Sequence, residues 1–129
     1  MPESITVLLV DEDRDILDIT ATFLERESER LDVETVTRTA QALDVLETDP
    51  DAVDCVVSDY TMPGMTGVEF LETVRDHDPE LPFFFFTGRD RSEIEAQLDA
   101  DAIDGYVQKG TGTERYAELA TDIVDTVDD

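Results

Sequence analysis

Positive charge is what this sequence most lacks. Nine basic residues stand against 34 acidic ones, and Lys109 is the only lysine among them. The resulting net charge of −25 repels nucleic-acid backbones and anionic membrane surfaces. Cysteine is almost absent too, so the single Cys55 excludes an internal disulfide. It lies in the apolar run Val53-Asp54-Cys55-Val56-Val57, which points to a buried free thiol. The one histidine, His77, sits in the polar stretch from Arg75 to Pro79 with no Cys or His beside it, as a solvated loop residue would. Long hydrophobic runs are missing: Phe83 to Phe86 is far too short to span a bilayer, and the N-terminus has no basic region of a signal peptide. A cytoplasmic location is the expectation.

What the chain does have is enough apolar material for a core. Its hydrophobic fraction is 40%, and clear periodic segments exclude wholesale disorder. The 129 residues read as one domain, residues 1–129, without repeats, linkers or low-complexity tracts. Abundant Asp and Glu with almost no Lys resembles proteins adapted to a salt-rich cytoplasm. There, at about 1 M salt, a screening length of roughly 3 Å would silence the self-repulsion.

Five short apolar runs alternate with five helix-like segments. Ile5–Val10 predicts a buried strand, followed by a helix with Ile16, Thr20, Phe23, Leu24 and Glu27 at helical spacing. Val33–Thr37 alternates as an edge strand does, and Thr39 is the expected N-cap of a helix burying Ala42, Leu43 and Leu46. Val53–Ser58 predicts the third strand; Pro63, Gly64 and Gly67 then mark a loop before a helix with Val68, Leu71 and Val74 on one face. Pro82–Thr87, apolar on both faces, predicts a central fourth strand. Ile94 and Leu98 mark the fourth helix, and Gly105–Gln108 the fifth strand. The last helix is expected from near Thr113, burying Tyr116, Leu119, Ala120, Ile123 and Val127. Such alternation predicts an α/β fold: a five-stranded parallel sheet of order 2-1-3-4-5 with helices on both faces, flavodoxin-like.

In that topology ligands collect at the carboxyl ends of the strands. Asp11, Glu12 and Asp13 follow the first strand, Asp59 the third, Thr87 and Gly88 the fourth, and Lys109 the fifth. Carboxylates gathered this closely repel one another unless a cation sits among them. Mg²⁺, which takes a few carboxylates plus water and phosphate oxygens, suits that need. A carboxylate left free to attack, beside metal and lysine, is what phosphoryl transfer to an aspartate requires.

The whole chain resembles the receiver domain of two-component response regulators. Val10-Asp11-Glu12-Asp13, Phe86-Thr87-Gly88 and Tyr106-Val107-Gln108-Lys109 carry the resemblance. So does the segment from Asp59 to Gly67, with its Asp59, Met62-Pro63 and Gly67. The resemblance implies a signalling domain rather than an enzyme, with Asp59 as phosphoacceptor for a sensor histidine kinase. It implies Mg²⁺ held by Asp11, Glu12, Asp59 and the backbone carbonyl of Thr61. It also implies that Thr87 and Lys109 contact the phosphoryl oxygens, and that Tyr106 turns inward with Thr87 as the switch. The face made by the fourth helix, fifth strand and fifth helix would then report the state to an output protein or domain.

Two departures stand out. Glu12 occupies a position usually held by Asp. Gly110 replaces the usual Pro after the lysine, which puts the family's cis peptide there in question. Arg89 and Thr61, each two residues beyond a site residue, would flank the phosphate. Two other functions fit parts of the pattern. One is a degenerate receiver serving only as a protein-binding module. The other is a haloacid dehalogenase-type phosphatase using Asp11, for which Asp11-Glu12-Asp13 supplies an Asp-x-Asp.

Overall fold

A computed structural model describes residues 4–60, 64–88, 90–97, 102–110 and 113–128. The strands are β1 (Ile5–Val10), β2 (Leu31–Val36), β3 (Cys55–Ser58), β4 (Phe83–Thr87) and β5 (Gly105–Gln108). Between and after them run α1 (Arg14–Glu27), α2 (Thr39–Thr48), α3 (Gly67–His77), α4 (Arg91–Glu95) and α5 (Glu114–Asp128). All pairings are parallel and the sheet order is β2-β1-β3-β4-β5, as the alternation of elements predicts.

The aromatic run of β4 shows why this strand is central. Side chains alternate across a strand, so Phe84 and Phe86 enter the core under α1 and α5, while Phe83 and Phe85 enter the core under α2, α3 and α4. All four rings are buried, each contributing about 1.5–3 kcal/mol of transfer free energy. Cys55 is buried as expected. Burial pushes its thiol well above the ordinary range, and the Asp104 and Asp54 carboxylates add to that shift.

Several boundaries differ from the sequence expectation for identifiable reasons. β3 starts at Cys55 rather than Val53, because a short 3₁₀ turn at Pro50–Ala52 precedes it and the Asp54 carboxylate turns back to accept from Thr6 N at 2.9 Å. β4 starts after Pro82, which has no N–H for the ladder. α1 buries Leu17, Thr20 and Leu24, so Leu17 takes the place expected of Ile16, and Glu27 is exposed. α2 is capped at Arg38, not Thr39, which is already the first helical residue and is buried. Leu98 lies outside the described residues. Val127 and Tyr116 are half-buried, while Leu119, Ala120 and Ile123 form the buried stripe of α5.

Two helices are fixed firmly at their starts. The Asp13 carboxylate accepts from Asp15 N and Ile16 N at the head of α1. Thr66 and Glu69 form a reciprocal capping box at the head of α3. Both devices lie at the carboxyl edge of the sheet and set the loops that carry Asp11 and Asp59. Among the described residues no helix is long and apolar enough to cross a membrane.

Candidate functional site

The site is built by the sheet ladder itself. Asp11 N donates to the carbonyl of Val36, the last residue of β2, and Asp59 N donates to Val10 at the end of β1. Lys109 N donates to Thr87 at the end of β4. Each of the three residues stands one step past its own strand, and the final carbonyl of a neighbouring strand holds it there. Three charged side chains are thereby delivered to one edge of the sheet.

They meet. Lys109 Nζ lies 2.6 Å from Asp11 Oδ2 and 3.3 Å from Asp59 Oδ2. Backbone amides hold the other oxygen of each carboxylate: Asp13 N donates to Asp11 Oδ1 at 2.9 Å, and Tyr60 N to Asp59 Oδ1 at 2.7 Å. Charge-assisted bonds of this kind are about twice as strong as neutral ones. The Phe86 ring lies beneath the ammonium, 5.7 Å from Nζ to the ring centroid, and its face favours a cation there. The Asp11 side chain is only 5% exposed, whereas that of Asp59 is 17% exposed. Of the two carboxylates, Asp59 is the one an incoming group can reach.

The neighbouring expected residues are placed as follows. Thr87 is buried at the end of β4. Tyr106, on β5, is half-buried against the core on the α3 side of the sheet. Glu12 is exposed and does not join the Asp11–Lys109–Asp59 cluster; it stands at a bend past the end of β1, where Asp13 N turns back to Asp11 Oδ1. Thr61 and Arg89 lie outside the described residues, as do Thr111 and Thr111's neighbour Gly112 in the loop after Lys109. No cis peptide occurs among the described residues, so the bond from Lys109 to Gly110 is trans.

Gly67 closes the site from below. Its N–H donates to Tyr60 O at 2.7 Å, and a Cβ at this position would stand 2.6 Å from that oxygen and 2.9 Å from the Phe85 ring. Only a residue without a side chain lets α3 approach the Asp59 loop this closely.

Two oxygen-rich side chains converging beside a lysine suit a hard divalent cation, which binds through one or two carboxylates and keeps several waters. Asp11 and Asp59 therefore fit Mg²⁺ as protein ligands. Among the described residues no three Asp, Glu, His or Cys side chains gather into a metal-holding group. The Asp-x-Asp arrangement of the phosphatase alternative finds no support in the geometry, because Asp13 is engaged in capping α1.

Three features of the site escape a reading of residue types. The two amides that orient the carboxylates belong to the backbone, and no residue type announces them. Phe86 reads from sequence only as core. Its place under Lys109 follows from the β4–β5 register, in which Thr87 pairs with Gln108 and Phe86 with Val107.

Comparison with known proteins agrees with this geometry. The chain is 34% identical over 105 residues to the heme response regulator HssR of Staphylococcus epidermidis, an alignment covering 81% of this chain and 45% of that protein. It is 31% identical over 88 residues to the sensor kinase CckA of Brucella abortus, covering 68% of this chain and 9% of the kinase. The chain thus spans less than half the length of either relative. A CheY-like receiver domain structure from Methanospirillum hungatei superposes with a TM-score of 0.81 at 25% identity, covering 98% of this chain and 95% of that one. Chemotaxis response regulator CheY4 of Vibrio cholerae shares the fold, with a TM-score of 0.77 at 24% identity, covering 93% of this chain and 98% of that one. The family match runs over residues 7–121, and with it the converging strand ends and the Asp59 loop have one common explanation: the chain belongs to the response regulator receiver domain family.

Proposed function

We propose that this domain accepts a phosphoryl group on Asp59 from a sensor histidine kinase and signals through the conformational change that follows. The observation that carries the proposal is the Lys109 ammonium shared between buried Asp11 and the more accessible Asp59. In the proposed step a carboxylate oxygen of Asp59 attacks phosphorus, the bond from phosphorus to the donor breaks, and an acyl phosphate results. Asp59 Oδ1 is held by Tyr60 N, which fixes the carboxylate plane for that attack. Lys109 stands ready to pair with a phosphoryl oxygen, and Thr87 at the end of β4 is the hydroxyl proposed to bond another.

Asp11 and Asp59 are the proposed Mg²⁺ ligands, with Glu12 at the rim and the Thr61 carbonyl completing the set. When bound, the cation would neutralise charge on the phosphoryl oxygens. Tyr106, half-buried beside the core, is the proposed second half of the switch, and the face of α4, β5 and α5 the proposed output surface. Phosphorylation favours whichever packing lets Thr87 and Lys109 bond the phosphoryl group, a population shift between two arrangements. We further propose that the acidic surface is an adaptation to a salt-rich cytoplasm.

Incubation with acetyl phosphate and Mg²⁺ in concentrated KCl tests the proposal. Intact-mass measurement should show one added phosphoryl group on the wild-type chain and on Glu12→Gln, and none on Asp59→Asn. An unmodified wild-type chain would instead support a domain that only binds partners.

A further inference from the structure

The start of α2 is built differently from those of α1 and α3. Those two begin with side-chain caps and place Asp15 and Glu69 in their first turns. α2 begins at Arg38 without a side-chain cap and has no acidic residue in its first turn, in a chain with 34 acids. Its first intrahelical bond runs from Ala42 N to Arg38 O. The amides of Thr39, Ala40 and Gln41 therefore have no acceptor among the described residues, the usual condition of an uncapped N-terminus. The Gln41 side chain does not relieve it: its Oε1 turns back to accept from Thr37 N and the Thr37 hydroxyl.

An independent feature points to a ligand. The first turn borders a cavity of about 540 Å³, lined by Arg38, Thr39, Ala40, Leu43, Gly64 and Met65 among others. Thr39 is only 8% exposed, and its hydroxyl has no hydrogen-bond partner among the described residues. Unlike Thr20 Oγ1, which is sealed in the core, it belongs to the cavity wall. Leaving a nearly buried hydroxyl unpaired is unfavourable, so a partner inside the cavity is the natural resolution. Arg38 is exposed and forms no ion pair among the described residues, despite the excess of carboxylates.

The first turn of α2 offers donors at this mouth: three amides, the Thr39 hydroxyl and the Arg38 guanidinium. Helix N-termini presenting free amides favour oxyanions. The remaining wall, from Ala40, Leu43 and Met65, is apolar and suits a short hydrocarbon chain. We propose that this cavity binds a small organic oxyanion, a carboxylate or phosphate monoester, with its head on the first turn of α2 and its chain over Leu43 and Met65. Asp11, Asp59 and Lys109 do not line this cavity, although Gly64 and Met65 belong to the loop that follows Asp59.

The test is an amide NMR titration of the full chain with acetate, hexanoate and hexyl phosphate, at a constant ionic strength of about 1 M where the net charge is screened. Either six-carbon anion should shift the Thr39, Ala40 and Gln41 resonances and bind at least about tenfold more tightly than acetate, since each buried methylene contributes. The stronger of the two identifies the preferred head group, and either supports the site. Arg38→Ala and Thr39→Val should each weaken binding at least about fivefold, the scale of one lost hydrogen bond. The other resonances should keep their positions, showing the fold intact. Absence of shifts at those three amides with both six-carbon anions overturns the proposal. So does equal affinity for acetate, or binding undiminished in both variants.

Discussion

The Lys109 ammonium stands closer to Asp11 than to Asp59, 2.6 Å against 3.3 Å. One cation is thus shared unequally by two carboxylates, and the residue proposed as phosphoacceptor is the less tightly paired of them. A second anion arriving at Asp59 finds an ammonium within reach without any long movement of the lysine stem.

Lys109→Ala separates metal binding from switching. Titration calorimetry should give a Mg²⁺ affinity within about fivefold of wild type, the scale of one partly exposed ion pair. The phosphorylation-dependent change in the amide spectrum should disappear, because the ammonium proposed to pair with the phosphoryl group is gone. Loss of Mg²⁺ binding in this variant would show that the lysine organises the carboxylates rather than the phosphate.

Gly67→Ala tests the close approach beneath Asp59. The added methyl would press on backbone, Tyr60 O at 2.6 Å and Tyr60 Cα at 2.8 Å, and neither can yield as a side chain tip could. Urea unfolding should report a loss of about 1–3 kcal/mol, typical of overpacking. A neutral result would mean that α3 shifts freely relative to the Asp59 loop.

The fold is most legible in the sequence at β4, and the site least legible at Glu12. Four consecutive phenylalanines identify a strand buried on both faces, and with alternating helices that is enough to predict the order β2-β1-β3-β4-β5. Asp11, Asp59 and Lys109 were legible because strand ends locate them. Glu12 was legible as a neighbour but not in direction, since it stands at a bend past the end of β1, where strand alternation no longer says which way a side chain turns. Thr39 was misplaced by one residue because the Thr side chain that reads as a cap belongs to the first helical turn, and nothing in residue type distinguishes the two positions. In α1 the apolar stripe is broad, so Leu17 and Ile16 compete for one buried place, and only packing against α5 and the sheet decides it.

Asp122 carries a pH-dependent cost. Partial burial, then the Glu118 and Asp125 carboxylates on α5, hold its carboxyl above the ordinary 3.8. A raised folded-state value means the fold retains the proton longer than the unfolded chain does. Stability is therefore lost as pH rises from 3.8 through the folded value, and the full cost is present at neutral pH. Asp122→Asn should melt at a higher temperature than wild type at pH 7 and show no advantage below pH 3.8. An advantage that persists at acid pH would indicate packing instead of charge as its source.

Salt should act in the same direction on the whole chain. With a net charge of −25, thermal melting should shift upward as KCl is raised from dilute buffer to about 1 M, where screening shortens to roughly 3 Å. A melting temperature indifferent to KCl would contradict the proposed adaptation to a salt-rich cytoplasm.

The acyl phosphate is proposed to form on Asp59. The most direct test is to phosphorylate the chain with acetyl phosphate and Mg²⁺ in concentrated KCl, reduce it with borohydride, and sequence the peptides by mass spectrometry. An aspartyl phosphate is reduced to homoserine, so the chemistry marks the residue that carried it. Homoserine is expected at position 59 alone; homoserine at position 11, or at no position, would overturn the assignment of Asp59.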